Sequence, residues 1–374
     1  MNWHSYLQSR TRSPEFLWRM VIWILAAGIG LGYVAERIWQ PHQSVRAPAS
    51  IEIPEELSDE PSSDELAKSG RWGQLWWGLP KRLYRYDHFG AVGLAAFTGS
   101  CWLIFLWHAM QTPKLGSRAF WAMLLALPLG VLSIWPTVFF DYWLEQRWNL
   151  TASPNLIPGL RYFVLSVGAR EELAKLACVL PLMPILLSMR SELTAMIVSS
   201  CVGLGFAMEE NVNYFASTSG TSTVGRFLMA NPFHITLTGL GGLMLYRVFR
   251  NPQGWAPHAL GILGMLIIAH GLYDAFIVLP ALAEYSLFGT IAFALVVYQF
   301  FRELRDLRTK KGDTVSLSAN FLCGLSLMLA VTFVYLSATA GLSTAFDSLV
   351  NDVLGLAVMV YLFLREMPET MVTV

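Results

Sequence analysis

Ionisable side chains stand in apolar surroundings at four places in this chain. Glu171, Glu172 and Lys175 follow Arg170 in the middle of an apolar stretch. On a helix, Lys175 lies four residues after Glu171 and three after Glu172, so its ammonium reaches either carboxylate from one face. Two adjacent carboxylates repel and can hold one proton between them, as general acid–base work requires. Glu209, Glu210 and Asn211 form a second group, with Tyr214 four residues after Glu210 and able to orient its carboxylate. His234 sits in NPFHITLTGLGG, whose glycines suit close helix packing. His270 and Asp274 are again four apart, so Asp274 can fix the imidazole tautomer.

Each group taken alone also fits a neutralised structural contact. Their depth joins them. Glu172 is 18 residues before a turn at Arg190, and Glu209 is 19 after it. His234 is 19 residues before a turn near Gln253, and His270 is 17 after it. At 1.5 Å per residue all four lie ~25–29 Å from their turns, which points to one polar site. An ionisable residue inside a membrane helix costs roughly 2.5–3.5 kcal/mol and is a functional candidate by default.

The elements that must position these residues are membrane helices. Of 374 residues, 55% are hydrophobic and 14% charged, well below the ~25% of ordinary soluble domains. Lys plus Arg and Asp plus Glu balance at 26 each, which excludes the basic footprint of a nucleic-acid binder. The expected fold is all-α, a polytopic membrane helical bundle of about ten transmembrane helices. The expected spans are 17–36, 89–107, 119–140, 158–187, 193–215, 233–249, 258–280, 286–301, 318–340 and 348–364. The first follows Arg10, Arg12 and Arg19 as a signal peptide would, but it is long and lacks a cleavage site before Glu36, so it is expected to be retained. Cys101, Cys178, Cys201 and Cys323 each fall inside a span and are expected to be small apolar residues without disulfides.

With the N-terminus inside, the short inner segments hold thirteen Lys and Arg residues between Arg10 and Arg365, against Arg147 and Arg226 in the short outer loops. That asymmetry places both termini in the cytoplasm. The organisation expected is a cytoplasmic N-terminus and first span (1–36), an outer loop (37–88), two accessory spans (89–157), a catalytic four-helix core (158–280), and three further spans with a cytoplasmic tail (281–374). The middle of the outer loop, IEIPEELSDEPSSDE, is acidic and expected to be flexible. Its end, RWGQLWWGLPKRLYRY, and the segment DYWLEQRWNL suit the membrane interface.

The chemistry on offer is carboxylate activation of water. No G-x-S-x-G and no H-E-x-x-H is present. Donors for the developing oxyanion can come from His234, His270 or Tyr214. A divalent metal such as zinc, held by His and Glu with a second Glu as base, is the alternative.

The order EExxK, then ENxxY after GFA, then a His, then HGxYD resembles the PrsW family of intramembrane proteases, distant relatives of the CAAX-prenyl endopeptidases and bacteriocin-processing enzymes. The residues carrying it are Glu171, Glu172 and Lys175; Gly205, Phe206, Glu210, Asn211 and Tyr214; His234; and His270, Gly271, Tyr273 and Asp274. The resemblance implies an endopeptidase in a bacterial inner membrane acting on a membrane-anchored protein, such as an anti-sigma factor. It makes Glu171, Glu172 and His270 the leading catalytic candidates, with Glu210, His234 and Asp274 in support and Lys175, Asn211 and Tyr214 around them. The family has been described both as metal-dependent and as glutamate-type, so the cofactor stays open. Two other functions compete: a proton-coupled transporter using a buried Glu/His relay, which the missing inverted repeat disfavours, and a non-enzymatic scaffold locked by its polar cluster.

Overall fold

A lipid environment offers no partner to backbone N–H and C=O groups, and a chain this apolar meets that demand with helices. The computed structural model describes residues 13–39, 61–84, 86–111, 113–308 and 315–367, and among these it holds helices and turns without a strand. Arg10, Arg12, Lys310, Lys311 and the acidic stretch 51–60 lie outside the described residues.

The helices are α1 (Pro14–Trp39), α2 (Ser63–Lys68), α3 (Trp72–Leu83), α4 (Phe89–Ala109), α5 (Arg118–Trp148), α6 (Leu156–Met189), α7 (Glu192–Ser217), α8 (Asn231–Arg250), α9 (Pro252–Val278), α10 (Leu287–Leu307), α11 (Leu317–Thr339) and α12 (Leu342–Glu366). Every expected span is a helix. Eight are long and apolar enough to cross a membrane, and α12, bent by 55° near its middle, is a ninth where its two halves form one span. The expected span that composition does not mark as a crossing is α8. Each of its residues from Asn231 to Gly239 is buried. A helix enclosed by protein needs no lipid-facing surface, so it tolerates Asn, His and Thr that a lipid-exposed span excludes.

The turns from α6 into α7 and from α8 into α9 are tight. Arg190 takes a left-handed backbone (φ 51°) and Ser191 caps α7 by accepting from Thr194 N–H. Asn251 caps α9 by accepting from Gly254 N–H, with Pro252 opening the helix. Small residues then let the helices approach. On α8, Gly239 and Gly242 face Ser200 and Ser199 of α7, while Gly203 of α7 faces the His234 carbonyl, so the two helices run antiparallel in close contact. On the other side, Gly168 of α6 meets Gly271 of α9. A Cβ at Gly271 would lie 2.5 Å from Val164 Cα and 2.6 Å from the Phe163 carbonyl oxygen, both backbone atoms. Gly271→Ala should therefore force α6 and α9 apart and cost ~1–3 kcal/mol. A melting curve equal to the parent's would overturn this.

Both α6 and the segment leading into α8 contain a wide π-type turn, at 162–168 and 226–230. Each ends immediately before the residues that carry the polar chemistry. The aromatic core gathers at Trp102, Phe105, Phe227, Phe301, Phe321 and Phe363, joining α4, α10, α11 and α12 to the segment 226–230 that leads into α8. The short pair α2–α3 packs Leu66, Leu75 and Leu79 against Trp135, Val138, Phe139 and Tyr142 of α5, which fits the interfacial composition of its sequence. All four cysteines are free.

Candidate active site

Four helices, α6 to α9, bring their ionisable residues to one point inside the bundle. The spacing of Glu171, Glu172 and Lys175 works as a helix dictates: Lys175 Nζ is 2.8 Å from Glu172 Oε1 and 3.5 Å from Glu171 Oε2. The same ammonium lies 2.8 Å from His234 Nδ1 on α8 and 4.0 Å from the centre of the Phe206 ring on α7. Lys175 and Glu172 have no exposed surface. From α9, His270 Nδ1 lies 2.7 Å from Glu172 Oε1. A carboxylate accepts, so Nδ1 carries the proton and Nε2 faces Glu171 Oε2 at 3.5 Å and Asp274 Oδ2 at 3.4 Å. The two imidazoles stand 5.4 Å apart, centre to centre.

A second polar chain continues outward. Glu210 Oε2 is 3.0 Å from His234 Nε2 and 2.5 Å from Arg226 Nη2. Arg226 also donates through Nε to Asn211 Oδ1, and Asn211 Nδ2 donates to Asn231 Oδ1 at 2.7 Å. The guanidinium lies 3.8 Å over the Tyr214 ring.

Several details differ from the spacing argument. The carboxylate that fixes the His270 tautomer is Glu172, from a different helix, because it meets Nδ1 squarely while Asp274 stands farther off. Tyr214 makes no hydrogen bond to Glu210 among the described residues. Its ring supports Arg226 instead, and Arg226 does the orienting. Adjacent residues on a helix point about 100° apart, and one of Glu209 and Glu210 faces His234. Glu210 does. Glu209 turns to the opposite side and accepts from Tyr86 Oη at 2.6 Å. Burial, and the hydrogen bond to Glu209, push the Tyr86 phenol well above the ordinary range, so it remains a donor. Arg170 pairs with Asp141 of α5, away from the cluster.

Arg226, Phe206 and Asn231 are the participants that spacing alone does not single out. Arg226 has one sequence signal: it is one of two basic residues in the short outer loops, where Lys and Arg are scarce.

The donor set suits a divalent metal. Glu171, His234 and His270 each offer one ligand atom, and these atoms lie within 4.8 Å of one another. One carboxylate and two imidazoles is a common catalytic zinc set that leaves a further position for water. Glu172 behind His270 Nδ1 matches the carboxylate that orients a metal-bound imidazole. The Glu172 Oε2 atom is buried without a hydrogen-bond partner, so the pocket has acceptor capacity to spare for a cation.

Residues 118–301 match the family model described as PrsW family intramembrane metalloprotease. The matched segment runs from α5 into α10 and contains every residue of the cluster. No curated protein and no solved structure matches the chain.

Proposed function

By residues 118–301 the chain belongs to the PrsW family of intramembrane proteases, and from that membership we propose that it is an endopeptidase whose base is Glu171 and whose substrate is a membrane-anchored protein. The observation that carries the reading is the convergence of Glu171, Glu172, His234 and His270 around one buried point from three helices. A structural knot needs only charge balance. This cluster also keeps one carboxylate loosely held. Glu172 is pinned by Lys175 and His270, whereas the nearest donor to Glu171, the Lys175 ammonium, stands at 3.5 Å.

In this mechanism a Glu171 oxygen accepts a proton from water as the water oxygen bonds to the scissile carbonyl carbon, and the carbonyl electron pair moves onto its oxygen. When that tetrahedral centre collapses, the C–N bond breaks and the leaving nitrogen takes the proton from Glu171. Glu172 holds His270 in one tautomer and one orientation. Glu210 holds His234 through Nε2, and Arg226 holds Glu210. In a metal-binding form, Glu171, His234 and His270 would hold a divalent cation, which would supply Lewis-acid polarisation of the carbonyl and of water; Glu171 would then act as a ligand, and its proton-accepting role belongs to the metal-free form.

The basic residues at the inner helix ends support cytoplasmic termini and an inner-membrane location, with α6 to α9 as the catalytic core and the flanking helices as accessories. A single-span protein with a short outer domain, of the anti-sigma type, fits a site placed toward the outer half of the bundle.

The test is reconstitution of purified protein in proteoliposomes with single-span substrates, with and without zinc and with and without chelator. New termini inside or beside the span are expected. Intact substrates under all four conditions, together with flux driven by a pH gradient, would replace this reading with the transporter.

A further inference from the structure

We infer that Lys175 is a tethered competitor for the divalent cation: its ammonium takes the charge-balancing place of the metal, and the two cannot keep the same partners at once. The inference rests on the metal-binding form of the function proposed above.

The seat of Lys175 is complete. Its three N–H donors have three acceptors, Glu172 Oε1 and His234 Nδ1 at 2.8 Å and Glu171 Oε2 at 3.5 Å, and the Phe206 ring face closes the remaining side at 4.0 Å. The side chain is fully buried. Two of the three residues able to ligate a metal, Glu171 and His234, are therefore already in contact with a positive charge, and the third, His270, is held by the same Glu172 oxygen that holds Lys175.

His234 makes the exclusion definite. An ammonium has donors only, so His234 Nδ1 must present its lone pair to Lys175. The ring proton is then on Nε2, where it donates to Glu210 Oε2 at 3.0 Å. Ligation through Nδ1 needs the lone pair that Lys175 occupies. Ligation through Nε2 moves the ring proton to Nδ1 and sets two donors 2.8 Å apart. Either way the Lys175–His234 contact ends when His234 takes a metal. Lys175 then serves the metal-free protein: it keeps the acidic pair neutralised and the imidazole in place until a cation arrives.

The experiment uses the full chain in detergent, stripped of metal, with Zn2+ as the probe. Affinity is measured by competition with a chromophoric chelator, and the shift in melting temperature on adding zinc is read in parallel. Lys175→Met should bind zinc about 10- to 100-fold more tightly than the parent, since a repelling charge leaves a poorly screened site. Its metal-free melting temperature should fall, and zinc should raise it by more than it raises the parent's. Lys175→Arg keeps the charge and should bind no more tightly than the parent. If Lys175→Met does not fold, Phe206→Leu loosens the ammonium's seat without touching a donor and should tighten zinc binding severalfold. Equal or weaker zinc affinity in the variant that folds overturns the inference. Cleavage by the parent in chelator, with no zinc binding by any variant, overturns it while leaving the peptidase standing. The expected order of zinc affinities without cleavage of any substrate leaves it standing while the peptidase falls.

Discussion

Glu171→Gln should lower the rate of substrate cleavage by roughly 10²–10⁴-fold, the usual worth of a positioned general base, while leaving the protein folded in the membrane. The amide keeps the shape of the carboxylate and cannot accept a proton from water. Its cost to stability should be small, because no donor lies closer to Glu171 than 3.5 Å. Glu172→Gln differs. That side chain holds Lys175 at 2.8 Å and His270 at 2.7 Å, so its variant should lose both activity and melting temperature. His270→Ala should match Glu171→Gln in rate, since it removes the imidazole outright. The measurement is initial cleavage rate per folded molecule, with the melting curve as the control for folding. A Glu171→Gln protein that cleaves within tenfold of the parent would remove Glu171 from the role of base.

Arg226→Leu should destabilise the protein by about 3 kcal/mol, the low end of the cost of stranding one partner of a buried ion pair. The low end applies because the Glu210 side chain keeps 27% of its surface exposed. Arg226 faces Glu210, Asn211 and the Tyr214 ring at once, so its loss leaves the Glu210 carboxylate with the His234 ring as its donor and no counter-charge, and takes a donor from the Asn211 oxygen. Unfolding titrations in detergent give the magnitude. The double variant Arg226→Leu with Glu210→Gln removes the stranded charge and should recover most of the loss. A double variant less stable than Arg226→Leu alone would show that Glu210 is not what Arg226 stabilises.

Much of the site was legible before any coordinates, and the reason is thermodynamic. Glutamate and histidine are costly at membrane depth, so their presence marks function, and the fixed rise of a helix turns sequence number into depth. That is how Glu172, His234 and His270 could be placed on one level and then found together. Depth does not give azimuth. The choice between Glu209 and Glu210 depends on how α7 is rotated against α8, which is set by glycine contacts such as Gly203 against His234. Partners from another helix are equally hidden: the nearest carboxylate to His270 in sequence is Asp274, whereas the one that holds its ring is Glu172. Among the expected spans, α8 escapes a hydropathy count for a related reason. Hydropathy reports contact with lipid, and α8 is wrapped by protein. Arg226 was visible only as a breach of the charge asymmetry between the two membrane sides.

The wide turn at 162–168 gives α6 a joint in its phase. A uniform helix couples the rotation of its two ends rigidly, so any twist needed to suit lipid at Leu156 would swing the acidic pair off His270. Here the widened turn offsets the two segments, so the acidic pair takes a bearing that an unbroken helix from Leu156 would not give it.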